Sequence, residues 1–411
     1  MRFRAEILTI GAELLKGSTL NTNACFLGRE LTDLGFEVAA QTACGDSQEA
    51  IAKKMGEAIS RCDLLILTGG LGPTPDDVTR EAVAGYFQTP LIFSKSQFSL
   101  IQKYYRSRRR QVPSLVRREV MFPENATPLI NRYGVALGFY LVYGRTLVVV
   151  LPGVPAELEK MFRELVRSLI RRHFRGLKSC PSLVAKIVGL SEPEIMLKLG
   201  RDFFKDRFDF GIYPAPGEVA IRIQAEDPAI VRRCRQKIKL RLGPSLYAET
   251  GIVLTEAVGR ILRRRRQSLA IAESCTGGLV AAEITKIPGA SRFFKGGRIL
   301  YDNRVKNAWF KSLGRRDAVG VLRKEGAVSP GVVRVLAAGI RQEMNSTFGI
   351  GITGIAGPGG GSRRKPVGLV FLALATPSRT KVWKEHFWGD RIQVQTKAMK
   401  KALEYLWREI R

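Results

Sequence analysis

Short apolar runs alternate with helical stripes along most of the chain. Residues 5–10 read as a strand, a stripe over residues 24–34 as a helix closed by Gly35, residues 37–40 as a second strand, and residues 47–60 as a second helix. Residues 62–68, with the apolar run Leu64 to Leu67 at their centre, then read as a central buried strand, so the order is βαβαβ, and this predicts a three-layer domain with a parallel sheet between helices. An amphipathic helix over residues 158–173 closes it, and the pattern breaks at residues 174–178. Residues 178–250 read as strand, helix, strand pair and helix, with a bend at residues 212–217, which suffices for a small α+β module. From residue 254 a helix opens a third domain with strands beginning at residues 269, 293, 348, 367 and 381, and a last helix starting near Arg391. The expected fold class is α/β, with domains at 1–173, 178–250 and 254–411.

Parallel sheets bind ligands beyond the carboxyl ends of their strands, and the chain concentrates polar and glycine residues there. Thr68-Gly69-Gly70-Leu71-Gly72-Pro73-Thr74-Pro75-Asp76-Asp77 follows the third strand. Gly69, Gly70 and Gly72 would let backbone approach a phosphate, Thr68 and Thr74 would donate to it, and Asp76 with Asp77 would hold a hydrated divalent ion. The same carboxylates also suit an N-cap for the helix starting near Val78.

In the third domain, Leu269-Ala270-Ile271-Ala272-Glu273-Ser274-Cys275-Thr276-Gly277-Gly278 reads as a buried strand, a tight turn and a helix start. Such a turn would aim free N–H groups at an anion or oxyanion beside Ser274 and Thr276. Those side chains would equally serve as helix caps. Three more polar loops accompany it: Tyr301, Asn303 and Lys306; Thr353 and Gly354; and Arg391. A serine becomes nucleophilic when a base takes its proton, and Lys306 or Tyr301 is the available base, a lysine needing burial or a cationic neighbour such as Arg304 or Arg391. Amides of Cys275 to Gly278 and of Gly354 are the expected oxyanion donors, and the planar fork of Arg391 suits a phosphate.

Composition trims the alternatives. Six cysteines without a CxxC pair argue against a zinc site or disulfide framework, and two histidines, His173 and His386, exclude a multi-histidine metal centre. No apolar stretch has signal or membrane-span character, so a cytoplasmic protein without a membrane partner is expected. The formal charge of +30, from 67 Lys plus Arg against 37 Asp plus Glu, admits nucleic acid as a partner. Its spread along the chain favours a solvated surface that also attracts phosphate-bearing metabolites.

The motifs Gly11-Ala12-Glu13-Leu14-Leu15, Asn21-Thr22-Asn23, Gly69-Gly70-Leu71-Gly72-Pro73-Thr74 and Leu151-Pro152-Gly153-Val154-Pro155-Ala156-Glu157 resemble the N-terminal half of the CinA family. The resemblance implies a molybdopterin-binding-like fold and metal-dependent hydrolysis of ADP-ribose or similar diphosphates. Ala12 stands where the family often has Thr or Asp, and Asn21 where it commonly has Asp. Residues 178–250 are similar to the family's KH-like middle domain, without a Gly-x-x-Gly clamp, so a spacer or homodimer role is expected there ahead of RNA binding. Glu273-Ser274-Cys275-Thr276-Gly277-Gly278, Tyr301-x-Asn303-x-x-Lys306, Gly326-Ala327-Val328-Ser329, Thr353-Gly354-Ile355-Ala356-Gly357-Pro358 and Gly389-Asp390-Arg391 resemble the C-terminal CinA domain. That resemblance implies hydrolysis of the amide of nicotinamide mononucleotide without a cofactor. It implies Ser274 as nucleophile, Tyr301 and Lys306 as proton-transfer pair, Thr353 and Gly354 on the amide, and Thr276 and Arg391 on polar or phosphate groups. Asp302, where Ser or Ala is usual, is placed to perturb Lys306. The alternative is a non-catalytic nucleotide- or nucleic-acid-binding protein.

Overall fold

The structure is a computed structural model that describes residues 3–411, and its chain divides at Cys180/Pro181 into two compact units. In the first unit a six-stranded sheet has the order β2-β1-β3-β8-β7-β6. Its strands are β1 (Arg4–Ile10), β2 (Glu37–Cys44), β3 (Leu64–Thr68), β6 (Thr127–Leu129), β7 (Gly138–Tyr143) and β8 (Thr146–Leu151), while β4 (Leu91–Phe93) and β5 (Met121–Pro123) form a separate ribbon. Strand alternation sends Ile7, Ile66 and Val149 to a core with Leu27, Leu31, Phe162 and Ile170, and Leu8, Leu65 and Val148 to a second core with Ile51, Met55 and Val83. The three layers follow from that two-faced burial.

The predicted parallel sheet is formed by β2, β1, β3 and β8, and it is extended on one side by β7, antiparallel to β8, and by β6, antiparallel to β7. The cause is local: Gly144 at φ 57 and Arg145 join β7 to β8 in a tight hairpin, too short for a crossover. Likewise β2 continues to Cys44, past the predicted stop at residue 40. The closing helix holds a π-helical turn at Phe162–Val166.

In the second unit β9 (Ser182–Val188), β10 (Asp209–Ala215), β11 (Glu218–Gln224) and β12 (Leu246–Ala248) form an antiparallel sheet under the helices Glu192–Leu199 and Pro228–Leu242. A five-stranded sheet of order β14-β13-β15-β16-β17 follows, from β13 (Leu269–Glu273), β14 (Phe294–Ile299), β15 (Phe348–Gly354), β16 (Leu369–Ala375) and β17 (Thr380–His386). Its first three neighbours are parallel and the last two antiparallel. Ile271 and Ile350 face the helices Leu254–Arg264 and Arg391–Ile410, whereas Ala270 and Ala272 face Phe310 and Leu336. Val188, Tyr247 and Ala248 pack into the same core as Leu403 and Trp407, and Lys400 pairs with Glu218 at 2.7 Å, so the small sheet and the larger one share one unit. Among the described residues no helix is long and apolar enough to cross a membrane.

Candidate functional site

Register brings the polar loops of the second unit together. Glu273 pairs with Ile299 across β13 and β14, and Ala272 with Gly351 across β13 and β15, so the loops leaving these parallel strands emerge side by side. In the first of them Gly277 (φ 62) and Gly278 (φ 100) take left-handed backbone that other residues resist, turning the chain into the helix Leu279–Thr285.

Both expectations for this turn are corrected by one residue that the sequence reading gave no role. The Glu273 carboxylate accepts from the amides of Gly278 at 3.0 Å, Val280 at 3.2 Å and Ala281 at 2.9 Å. The helix start is therefore occupied by an internal anion and is not open to a substrate's. Neither Ser274 nor Thr276 caps this helix. Gly277 N bonds the Ser274 carbonyl at 3.0 Å, and the Cys275 and Thr276 amides have no backbone acceptor among the described residues. Ser274 is 7% exposed, and the buried Thr276 hydroxyl has no partner among the described residues. The Cys275 thiol is pushed up to about 12, chiefly by burial, which disfavours its thiolate.

Tyr301 lies in the loop just past the end of β14 at Ile299. The chain then turns at Asp302, whose side chain caps the helix Asn303–Ser312 through the Arg304 amide at 2.6 Å, so Asn303 and Lys306 sit on that helix rather than in the loop, Lys306 one turn in. Lys306 is 1% exposed, and its Nζ donates to the Tyr301 carbonyl at 2.9 Å rather than to Ser274. Among the described residues it has no ion-pair partner. Burial lowers its pKa, against smaller opposing pulls from Asp302 and Cys275. The exposed Asn303 opens the helix.

The last helix ties the loops. Arg391 donates to the Gly357 carbonyl at 2.6 Å and to the Tyr301 hydroxyl, and Gln395, one turn further on, donates to the Cys275 carbonyl at 2.7 Å. Gln395 was legible only as the i+4 neighbour of Arg391. Asp390 caps this helix with Gln393 and leaves Arg391 unpaired by carboxylate. Thr353, 1% exposed, donates to the Ala327 carbonyl at 2.8 Å and so fixes the Gly326 to Ser329 loop; Gly354 ends β15 beside it.

The first unit holds a cavity of about 890 Å³ beyond the ends of β1, β3 and β8, where Thr9, Thr68 and Leu151 lie level. Gly69, Gly70, Gly72, Asp76 and Asp77 line it. Thr74 does not, because its amide and hydroxyl both bond the Asp77 carboxylate. Asp77 is thus no helix cap, and the helix Thr79–Tyr86 starts without one. The Thr68 hydroxyl is likewise spent, on the Pro152 carbonyl at 2.8 Å.

What remains is backbone. The Gly69 carbonyl accepts from the Thr79 hydroxyl, the Gly70 carbonyl from the Thr79 amide, the Leu71 and Gly72 carbonyls from the buried Arg80, and the Thr74 and Asp77 carbonyls from Arg118. The amides of Gly70, Leu71 and Gly72 have no acceptor among the described residues. With its carbonyls engaged elsewhere and three N–H groups uncommitted, the loop has the donors that an anion site requires. Thr79, Arg80 and Arg118 went unassigned in the sequence. Asn21 caps the helix Thr22–Leu34 through the Ala24 amide and donates its side-chain N–H to the Thr9 hydroxyl at 2.9 Å, a bond an aspartate could not make.

A Cβ at Gly69, where φ is 104, would lie 2.2 Å from the Ile10 carbonyl oxygen. Gly69→Ala is expected to cost roughly 2–4 kcal/mol, seen as a lower urea midpoint by far-ultraviolet circular dichroism. An unchanged midpoint would show that the loop relaxes freely.

Fold and sites together define a mixed α/β protein with ligand-ready loops at the carboxyl ends of parallel strands in both units. The family description "CinA C-terminal domain" matches residues 252–410, and "Probable molybdopterin binding domain" matches residues 6–172. A protein of Caldicellulosiruptor bescii named as a competence-damage inducible protein is 36% identical over 414 residues, covering 99% of each chain. A "CinA-like protein" of Kosmotoga olearia is 35% identical over 416 residues, again 99% of each. A solved CinA structure from Thermoplasma acidophilum, titled as of unknown function, is 31% identical, covers 41% of this chain and 98% of its own, and has a TM-score of 0.38. The chain belongs to the CinA family.

Proposed function

We propose that the C-terminal domain hydrolyses the amide of nicotinamide mononucleotide to the acid and ammonia. The observation that carries this reading is Lys306, a lysine buried to 1% exposure without an ion-pair partner among the described residues, beside the loops that hold Ser274 and Tyr301. Burial favours its neutral amine, which is the form that accepts a proton. The Ser274 hydroxyl attacks the amide carbonyl, its proton passing to the lysine, and the Cys275 and Thr276 amides meet the oxyanion. The lysine returns the proton to the departing ammonia, and water then cleaves the ester and restores the serine. Tyr301, held by Arg391, orients the substrate over Ser274, and Arg391 offers its remaining N–H groups to the phosphate. Full-length protein is expected to release ammonia from the mononucleotide, and Ser274→Ala to lose the rate by at least about 10³-fold. Equal release by the variant would refute the assignment.

Asp302 supplies a pH test. Its charge raises the Lys306 pKa, so Asp302→Asn lowers it, and the acidic limb of kcat/KM is expected to move to lower pH. A limb moving upward or standing still would place the titration elsewhere.

The uncommitted loop amides and the cavity favour a second activity in the first unit, hydrolysis of ADP-ribose or a related nucleoside diphosphate. Asp76 and Asp77 on the cavity wall would hold a hydrated divalent ion jointly with substrate phosphates; among the described residues no three-ligand cage exists, and an ion of the magnesium type needs none. Such an ion supplies charge neutralisation at the diphosphate. The Gly70 to Gly72 amides bind and orient it. Ribose 5-phosphate formation from ADP-ribose in the presence of a divalent metal tests this reading.

A further inference from the structure

The floor of the N-terminal cavity is polar, but its outer wall is apolar and aromatic. Leu100, Ile101 and Tyr104 of the helix Lys95–Ser107 and Tyr133 of the loop after β6 border the same space as the Gly69 to Gly72 loop. Both rings are open, Tyr104 at 51% and Tyr133 at 37% exposure. Each carries a cation on its face, the Arg108 guanidinium 3.8 Å from the Tyr104 centroid and the Lys160 ammonium 4.8 Å from that of Tyr133. Such contacts restrain a surface ring.

The two rings also share a rigid frame. Gln97, fully buried on the helix that carries Tyr104, accepts from the Asn131 amide at 2.9 Å and donates to the Asn131 carbonyl at 3.0 Å. The Asn131 side chain accepts from the Tyr133 amide at 2.9 Å and the Gly134 amide at 3.0 Å, and donates to Glu157 at 2.7 Å. One buried amide pair thus locks the helix of one tyrosine to the loop of the other. A prealigned aromatic wall loses little entropy when a planar group settles on it. Neither phosphate nor ribose needs such a wall, whereas a heterocyclic base does, because every base offers a π face.

We propose that Tyr104 and Tyr133 form a base-binding subsite, so that the ligand of this cavity is a nucleoside diphosphate whose base lies on the tyrosines while its diphosphate meets the Gly70 to Gly72 amides. The proposal rests on reading the cavity as a diphosphate site.

Calorimetry on the full chain tests it with ADP-ribose, which has a base, and with inorganic pyrophosphate, which has none. Tyr104→Ala and Tyr133→Ala are each expected to weaken ADP-ribose about tenfold and to leave pyrophosphate unchanged, with Tyr→Phe at either position restoring wild-type affinity. The fall in adenine absorbance on stacking should disappear in the alanine variants. Alanine variants that bind ADP-ribose as tightly as wild type, or that weaken both ligands alike, would overturn the subsite and leave the diphosphate reading intact. Wild-type protein that binds neither ligand would remove that reading and the subsite with it.

Discussion

Lys306→Met is expected to slow ammonia release from nicotinamide mononucleotide by roughly 10²–10⁴-fold in kcat, the usual contribution of a positioned general base. Methionine fills most of the same buried volume, so the fold should tolerate the change. Lys306→Arg should fail to rescue, since a guanidinium does not release its proton at working pH. A solvated lysine would behave oppositely, with both substitutions near wild type. Steady-state kinetics with thermal unfolding as control separates the cases. Loss of rate at unchanged melting temperature supports proton transfer, while loss of both would reduce Lys306 to a packing residue.

Glu273→Gln should show the second large effect. The carboxylate receives three amide N–H groups at 1% exposure, and the glutamine amide can offer one oxygen while its NH₂ faces a donor. A mispaired buried donor and a lost charge-assisted bond together cost roughly 2–4 kcal/mol. The turn that carries Ser274 should loosen with it, and kcat is expected to fall about 10–100-fold, as supporting-residue changes do. Because Glu273 touches no substrate, KM should move far less than kcat. Wild-type kcat with lowered stability would make it a structural plug only.

The periodic parts of this chain were readable because burial on both faces of a parallel strand leaves unbroken apolar runs, such as residues 64–67 and 269–272. Antiparallel edge pairing was not, since whether β8 pairs with β7 depends on a hairpin at Gly144 that the apolar pattern does not weigh. Ser274 and Arg391 stood out by residue type beside glycines, and Lys306 by its charge near Tyr301 and Asn303. Glu273 did not: at the end of an apolar strand it reads as a routine polar terminus, and only the path of the chain through Gly277 and Gly278 turns three amides onto it. The same holds for Arg80 and Arg118, whose charge suggests solvent but whose guanidinium groups face loop carbonyls. Thr74 erred the other way, a hydroxyl beside glycines that proves committed to Asp77. Side chains that satisfy backbone at a distance leave no periodic trace.

Acid-quenching full-length protein during turnover of nicotinamide mononucleotide, followed by peptide mass spectrometry to locate covalent mass, tests Ser274 as the nucleophile served by Lys306. A nicotinate mononucleotide ester is expected on the peptide containing Ser274, absent from Ser274→Ala. Ammonia release that continues undiminished in Ser274→Ala, with no adduct on the wild-type peptide, would contradict that role.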